Sequence, residues 1–230
     1  MRLTGFLLAL GTVAALAQTP AGQMMDHSKM HQPGVAAGGH MDRHFDDAEQ
    51  WAKEFDDPAR DQWQMPDRVI AALGLKKGQS VADIGAGTGY FTSRLARSSA
   101  APKVFASDIE ASMVKYLEAR ATKEKLTNIV AVQASATSPN LPEAVDLILI
   151  VDTMHHLEAR EAYFKNLGKS LKPGGRIAIV DWKKGGPMGP PDDFRFTPAE
   201  LTKELATAGY KKVSGYDFLP NQQFMIFARR

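Results

Sequence analysis

The segment Val81-Ala82-Asp83-Ile84-Gly85-Ala86-Gly87-Thr88-Gly89 constrains this chain more than any other. A short apolar run of strand length leads directly into three alternate glycines, and Phe91 to Ser98 then reads as a helix. Glycine adopts backbone conformations closed to other residues and lets the main chain approach a ligand closely. The following helix presents N–H groups that have no partner within the helix. A turn of this kind belongs between a buried strand and a helix that packs back on the same sheet.

The rest of the chain repeats that alternation. Ser80 to Ile84, Lys103 to Ser107, Ile129 to Gln133, Val145 to Val151 and Arg176 to Val180 read as strands. Between them, Ser112 to Lys125 and Arg160 to Leu171 read as helices, the latter stopped by Lys172-Pro173-Gly174-Gly175. Pro198 to Ala208 is a helix closed by Gly209, and Val213 to Phe218 with Gln223 to Ala228 forms a final pair around a Pro-Asn turn. Val145 to Val151 is almost continuously apolar, as a central strand covered on both faces must be. The expected fold is α/β, a doubly wound Rossmann-like sheet of seven strands, mostly parallel with an antiparallel last strand and helices on both faces. Two amino-terminal helices precede it, over 43–55 and Pro66 to Leu73, the second opened by Pro66 and followed by Gly74.

Asp108 closes the second strand, about 20 residues beyond the last glycine, the interval at which an acid meets a ribose hydroxyl pair. The glycine spacing is G-x-G-x-G with Asp83 before it, not the G-x-G-x-x-G that suits a pyrophosphate. On these residues the chain resembles the class I S-adenosylmethionine-dependent methyltransferases. Leu171-Lys172-Pro173-Gly174-Gly175, the strand Val145 to Val151 and the closing strand pair extend the resemblance over about residues 64–228. It implies S-adenosylmethionine as cofactor, with its methionine part on Gly85, Gly87 and Gly89, its ribose on Asp108 and Asp83 beneath the loop near its amino group. After strand 3 many relatives carry an acid or amide for the adenine; here Ser135 is the best match, in Gln133-Ala134-Ser135-Ala136-Thr137.

Ligands of doubly wound sheets bind off the carboxyl ends of the strands. Asp152-Thr153-Met154-His155-His156-Leu157 follows the central strand there. Asp152 is assigned to the cofactor. His155 or His156 can serve as a general base on a substrate hydroxyl or amine, because imidazole titrates near neutrality, or can pack and cap the loop instead. Trp182, Lys183 and Arg195 border a Gly/Pro-rich loop that can contact a substrate, and Trp51, Phe55 and Trp63 can cover the cofactor cleft or complete the core.

Residues 1–17 carry Arg2, an apolar stretch from Leu3 to Leu16 and the small-x-small sequence Ala15-Leu16-Ala17, the form of a cleaved secretory signal. An exported, periplasmic protein is expected, with no membrane span once the signal is removed. Residues 18–42 form a Met/His-rich segment without periodicity, expected to be disordered, and residues 43–230 form the methyltransferase-like domain. Met24, Met25, His27, Met30, His31, His40, Met41 and His44 offer thioether and imidazole ligands suited to Cu(I), so weak Cu(I) binding stands beside a plain spacer. No metal is assigned to the domain itself. A net charge of +2, with signs mixed along the chain, excludes nucleic acid as the expected partner, and the absence of cysteine excludes thiolate chemistry. The expected partner is a small-molecule substrate of a methyltransferase. The alternatives are an exported Rossmann-like binding protein that has lost catalysis or binds another nucleotide-like ligand, favoured by the signal because S-adenosylmethionine is made in the cytoplasm, and a nicotinamide-dependent oxidoreductase, disfavoured by the glycine spacing.

Overall fold

A computed structural model describes Phe45 and residues 47–230. The signal-like segment 1–17, the Met/His segment 18–42 and residues 43, 44 and 46 lie outside the described residues. Three helices come first: α1 (Ala48–Phe55), capped by Asp47, which accepts the Gln50 N–H, then α2 (Arg60–Gln64) and α3 (Pro66–Leu73). The alternating part follows as β1 (Ser80–Ile84), α4 (Tyr90–Arg97), β2 (Lys103–Asp108), α5 (Ala111–Lys123), β3 (Ile129–Gln133) and β4 (Val145–Val151). It continues as α6 (Arg160–Leu167), β5 (Leu171–Trp182), α7 (Pro198–Thr207), β6 (Tyr210–Tyr216) and β7 (Gln222–Arg229).

The seven strands form one sheet in the order β3-β2-β1-β4-β5-β7-β6. Strands β1 to β5 pair in parallel, and β7 enters antiparallel between β5 and β6. The order reverses between β1 and β4, so the crevice for a ligand opens off their carboxyl ends.

Strand alternation sends each side of β4 into a different core. Ile148 and Ile150 join Ala82, Phe105, Phe164, Leu201 and Leu205, beneath α6 and α7. Leu147 and Leu149 join Val81, Val104, Val69, Leu73, Phe91 and Leu95, beneath α3 and α4. Each large side chain buried this way contributes about 1.5–3 kcal/mol, which fixes the strand ends that carry the site. Helix α7 is further held by a reciprocal capping box between Thr197 and Glu200.

Three departures from the sequence expectation have local causes. The helix expected over Arg160 to Leu171 stops at Leu167, and Leu171 already pairs with Val145 as the start of a longer β5. A register shift between Val145 and Leu147 absorbs Lys172 to Gly175. Strand β6 starts at Tyr210 rather than Val213, because the Tyr210 ring is buried and its hydroxyl donates to the Phe164 carbonyl at 2.9 Å. Helix α2 has no counterpart in the sequence pattern, since five residues are too few to show a helical period.

Candidate cofactor and active site

The glycine turn closes around Asp108. Gly85, Gly87 and Gly89 all have positive φ, at 69°, 55° and 92°. The Gly85 and Ala86 amides donate to the Ser107 carbonyl, which ties the turn to the end of β2. One Asp108 oxygen then accepts the Gly87 N–H at 2.8 Å, and the other accepts the Glu110 N–H at 3.0 Å. Asp108 is only 7% exposed, so its carboxylate lies in the crevice rather than in solvent. Burial pushes its pKa up, against the pull of the two N–H donors.

Asp108 is one of four acids at the carboxyl ends of adjacent strands. Asp83 lies in β1 beneath the turn, 3% exposed, and accepts the Thr92 hydroxyl at 2.6 Å. Asp152 follows β4 with φ 51°, and accepts the side-chain amides of Gln64 at 3.0 Å and Gln222 at 2.5 Å. Asp181, near the end of β5 and 1% exposed, accepts the Met154 and Trp182 main-chain N–H groups at 3.1 and 2.7 Å. Burial raises the pKa of both Asp152 and Asp181, and the charge of Asp181 raises Asp152 further.

Asp83 is pushed up to about 6, first by burial and then by the Asp108 charge, against its Thr92 hydrogen bond. A carboxyl whose folded pKa lies above its unfolded value holds its proton more tightly in the native state. Stability is therefore lost as pH rises from about 4 through about 6. Asp83→Asn keeps an oxygen for Thr92 and removes that loss. Thermal melts should show the variant gaining on the wild type by about 2 kcal/mol between pH 4 and pH 8. A parallel pH dependence in the two proteins would contradict the assignment.

His155 and His156 take different places. The His155 side chain is buried, with Nδ1 3.6 Å from Asp181 Oδ1. It also stands at the inner end of a groove of about 930 Å³ between α6 and α7, lined by Arg160, Glu204, Phe194 and Phe196 among others. His156 instead packs edge-on against Phe45, its ring centroid 5.7 Å away. Phe45, Trp51 and Phe55 form a contiguous aromatic cluster on α1 and its approach. A Cβ added at Gly87 would meet the Phe55 ring at 3.3 Å, so α1 lies over the glycine turn. The far end of α1 is tied down by Arg120, which donates to Asp56 and to the Thr88 carbonyl, all at 2.9 Å.

Other expected contacts are placed differently. Ser135 is exposed in the turn after β3, next to Ala134, whose amide donates to the Asp108 carbonyl; its hydroxyl donates to the Ser138 carbonyl at 3.3 Å. Lys183 and Arg195 are spent on carbonyls, the former on Leu219 and Pro220, the latter on Lys183, Gly186 and Pro190. They shape the loop between β5 and α7. Trp63 packs on Trp182 with ring centroids 5.1 Å apart. Sequence reasoning missed Gln64, Gln222 and Ile109. The two glutamines are fully buried and fix Asp152, a role that only tertiary packing reveals. Ile109 is 55% exposed directly after Asp108, where an apolar side chain offers a platform for a purine face. Its signal was available: an apolar residue follows the acid at the end of a strand.

The architecture and crevice define a class, the Rossmann-like methyltransferase fold. Residues 81–175 match the family of methyltransferase domains. The ubiquinone/menaquinone biosynthesis C-methyltransferase UbiE of Salmonella arizonae is 32% identical over 124 residues, covering 50% of this chain and 47% of that protein. The chain thus spans about half the length of the curated relatives it matches. A SAM-dependent methyltransferase from Aquifex aeolicus superposes with TM-score 0.72 at 27% identity, covering 79% of this chain and 97% of the other. The DhpI–SAH complex shares the fold, with TM-score 0.60 at 21% identity over 79% of this chain and 93% of that one. Residues 81–175 are thus similar to methyltransferase domains, and the sheet as a whole has the fold of the S-adenosylmethionine-dependent methyltransferases.

The crevice fits that family's cofactor. A carboxylate has about four lone-pair sites, and the Asp108 oxygens spend two on the main chain, which leaves two for a hydroxyl pair. A side chain at Gly85 would strike Thr153, so the turn has room only for backbone beside a ligand.

Proposed function

We propose that this protein transfers a methyl group from S-adenosylmethionine to a small-molecule acceptor. The observation that carries it is a row of four acids across the ends of β1, β2, β4 and β5, with Asp83, Asp108 and Asp181 buried and Asp152 half-buried. A sulfonium nucleoside carries net positive charge, whereas a dinucleotide brings an anionic pyrophosphate. At an effective dielectric of about 20, charges a few ångströms apart interact by several kcal/mol, so those of the acids that are ionised favour the first over the second.

Bound S-adenosylmethionine supplies an electrophilic methyl group on a sulfonium sulfur. The chain's own residues supply the remainder. Asp108 and the glycine turn hold the nucleoside, and positioning alone removes much of the barrier to such a displacement. His155, whose Nδ1 lies 3.6 Å from Asp181 Oδ1, receives the acceptor's proton. Helix α1 with Phe45, Trp51 and Phe55 keeps water from the crevice.

The test is S-adenosylhomocysteine production from S-adenosylmethionine with panels of phenol, amine and carbon-acid acceptors. Turnover is expected, and His155→Asn should lower kcat and flatten its pH profile without weakening S-adenosylhomocysteine binding. Tight binding with no turnover on any panel would favour the second reading, a binding protein without catalysis. That reading draws on the signal-like segment, since an exported domain stands apart from the cytoplasmic source of the cofactor. Export itself is checked by expressing the full chain and looking for a periplasmic product whose mass corresponds to cleavage after Ala17.

A further inference from the structure

The amino-acid end of S-adenosylmethionine brings an anionic carboxylate as well as two cationic groups. Four acids would repel that carboxylate unless a cation stands among them. Arg60, the first residue of α2, is that cation. Its charge acts on both Asp83 and Asp152. Its side chain is 15% exposed, and Nη2 lies 3.9 Å from Asp152 Oδ2, an ion pair too long for a hydrogen bond. Each Asp152 oxygen already accepts one side-chain amide, from Gln64 or from Gln222.

The rest of the guanidinium is fixed. Nε donates to the Gln64 side-chain oxygen, and Nη1 donates to the Phe55 carbonyl at 2.8 Å. Its carbon stands 4.1 Å from the centroid of the Tyr90 ring, at the residue after Gly89. The Tyr90 hydroxyl in turn donates to Asp61, which also pairs with Arg94 at 2.9 Å. A desolvated cation is thus held by α2 and by the first residue of α4, between the glycine turn and the end of β4. The second hydrogen on Nη1 and both on Nη2 are the donors left for an anion.

We propose that Arg60 is the anchor for the carboxylate of the cofactor's methionine part, so that α2 belongs to the cofactor site. The inference rests on the methyltransferase reading. It explains why a five-residue helix with no helical period of its own carries the half-buried Arg60 and the buried Gln64 to the sheet's switch point.

The test compares S-adenosylmethionine with decarboxylated S-adenosylmethionine, by calorimetry on the wild-type protein, Arg60→Met and Arg60→Gln. The wild type should bind the intact ligand at least about tenfold more tightly, the scale of a lost charge-assisted hydrogen bond. Both variants should weaken S-adenosylmethionine by a similar factor and leave the decarboxylated ligand unchanged within about twofold. Arg60→Gln keeps a donor for the Phe55 carbonyl, which protects the fold if Arg60→Met melts early. Equal weakening of both ligands would overturn the proposal, as would a wild-type protein indifferent to the carboxylate. A wild type that binds neither ligand overturns the methyltransferase reading itself, so the two failures are distinct.

Discussion

Asp108→Asn should lower affinity for S-adenosylhomocysteine at least about a hundredfold, because it removes the charge from two hydrogen bonds to the ribose, each contributing about 1.5–3 kcal/mol. The fold should survive. The amide oxygen can still accept one of the two N–H groups, from Gly87 or Glu110, that hold the carboxylate now. Losing the other costs about 1 kcal/mol, offset in part because a buried charge disappears. The variant should therefore melt within a few degrees of the wild type, and titration calorimetry should show the loss in binding alone. Retained affinity would mean that the sugar is held elsewhere.

Gly85→Ala should damage both stability and binding. At φ +69° an L-residue is strained by about 1–2 kcal/mol. The new Cβ would also sit 2.3 Å from Thr153 Oγ1 and 2.5 Å from its Cγ2, well inside contact distance. Thr153 cannot yield freely, since its hydroxyl donates to the Val151 carbonyl at 2.8 Å and anchors the turn after β4. The expected loss is about 2–4 kcal/mol in chemical denaturation, with overpacking adding to the backbone strain. Pushing β1 and β4 apart at the switch point should also lower S-adenosylhomocysteine affinity more than about tenfold. The double variant with Thr153→Ala should recover the steric share and leave the backbone share, a non-additivity that a cycle detects. Additive losses would show that the two residues do not compete for the same space.

The skeleton of this fold was legible because its signals are local. The unbroken apolar run of β4, the glycine turn and the alternation of strand and helix lengths require no knowledge of distant contacts. The assignments of Gly85, Gly87, Gly89, Asp83 and Asp108 came from the same kind of signal, spacing along one chain segment, and the structure gathers all five around one turn. Arg60, Gln64 and Gln222 were not legible. Each is an ordinary polar residue whose role depends on meeting Asp152 from a distant part of the chain. Lys183 and Arg195 failed in the opposite sense. Their charge and loop position suggested a ligand, but unpaired carbonyls of the loop claim them first. The histidine pair shows the same limit, since sequence cannot distinguish the ring that faces Asp181 from the ring that faces Phe45.

The carboxylate-lined crevice between β1, β2 and β4 should hold a sulfonium nucleoside. Calorimetric titration of the chain lacking residues 1–17 with S-adenosylmethionine, and separately with NAD, tests it most directly. One site per chain for S-adenosylmethionine is expected, with no heat of binding from NAD. Binding of NAD, or no binding of S-adenosylmethionine by a folded protein, would contradict it.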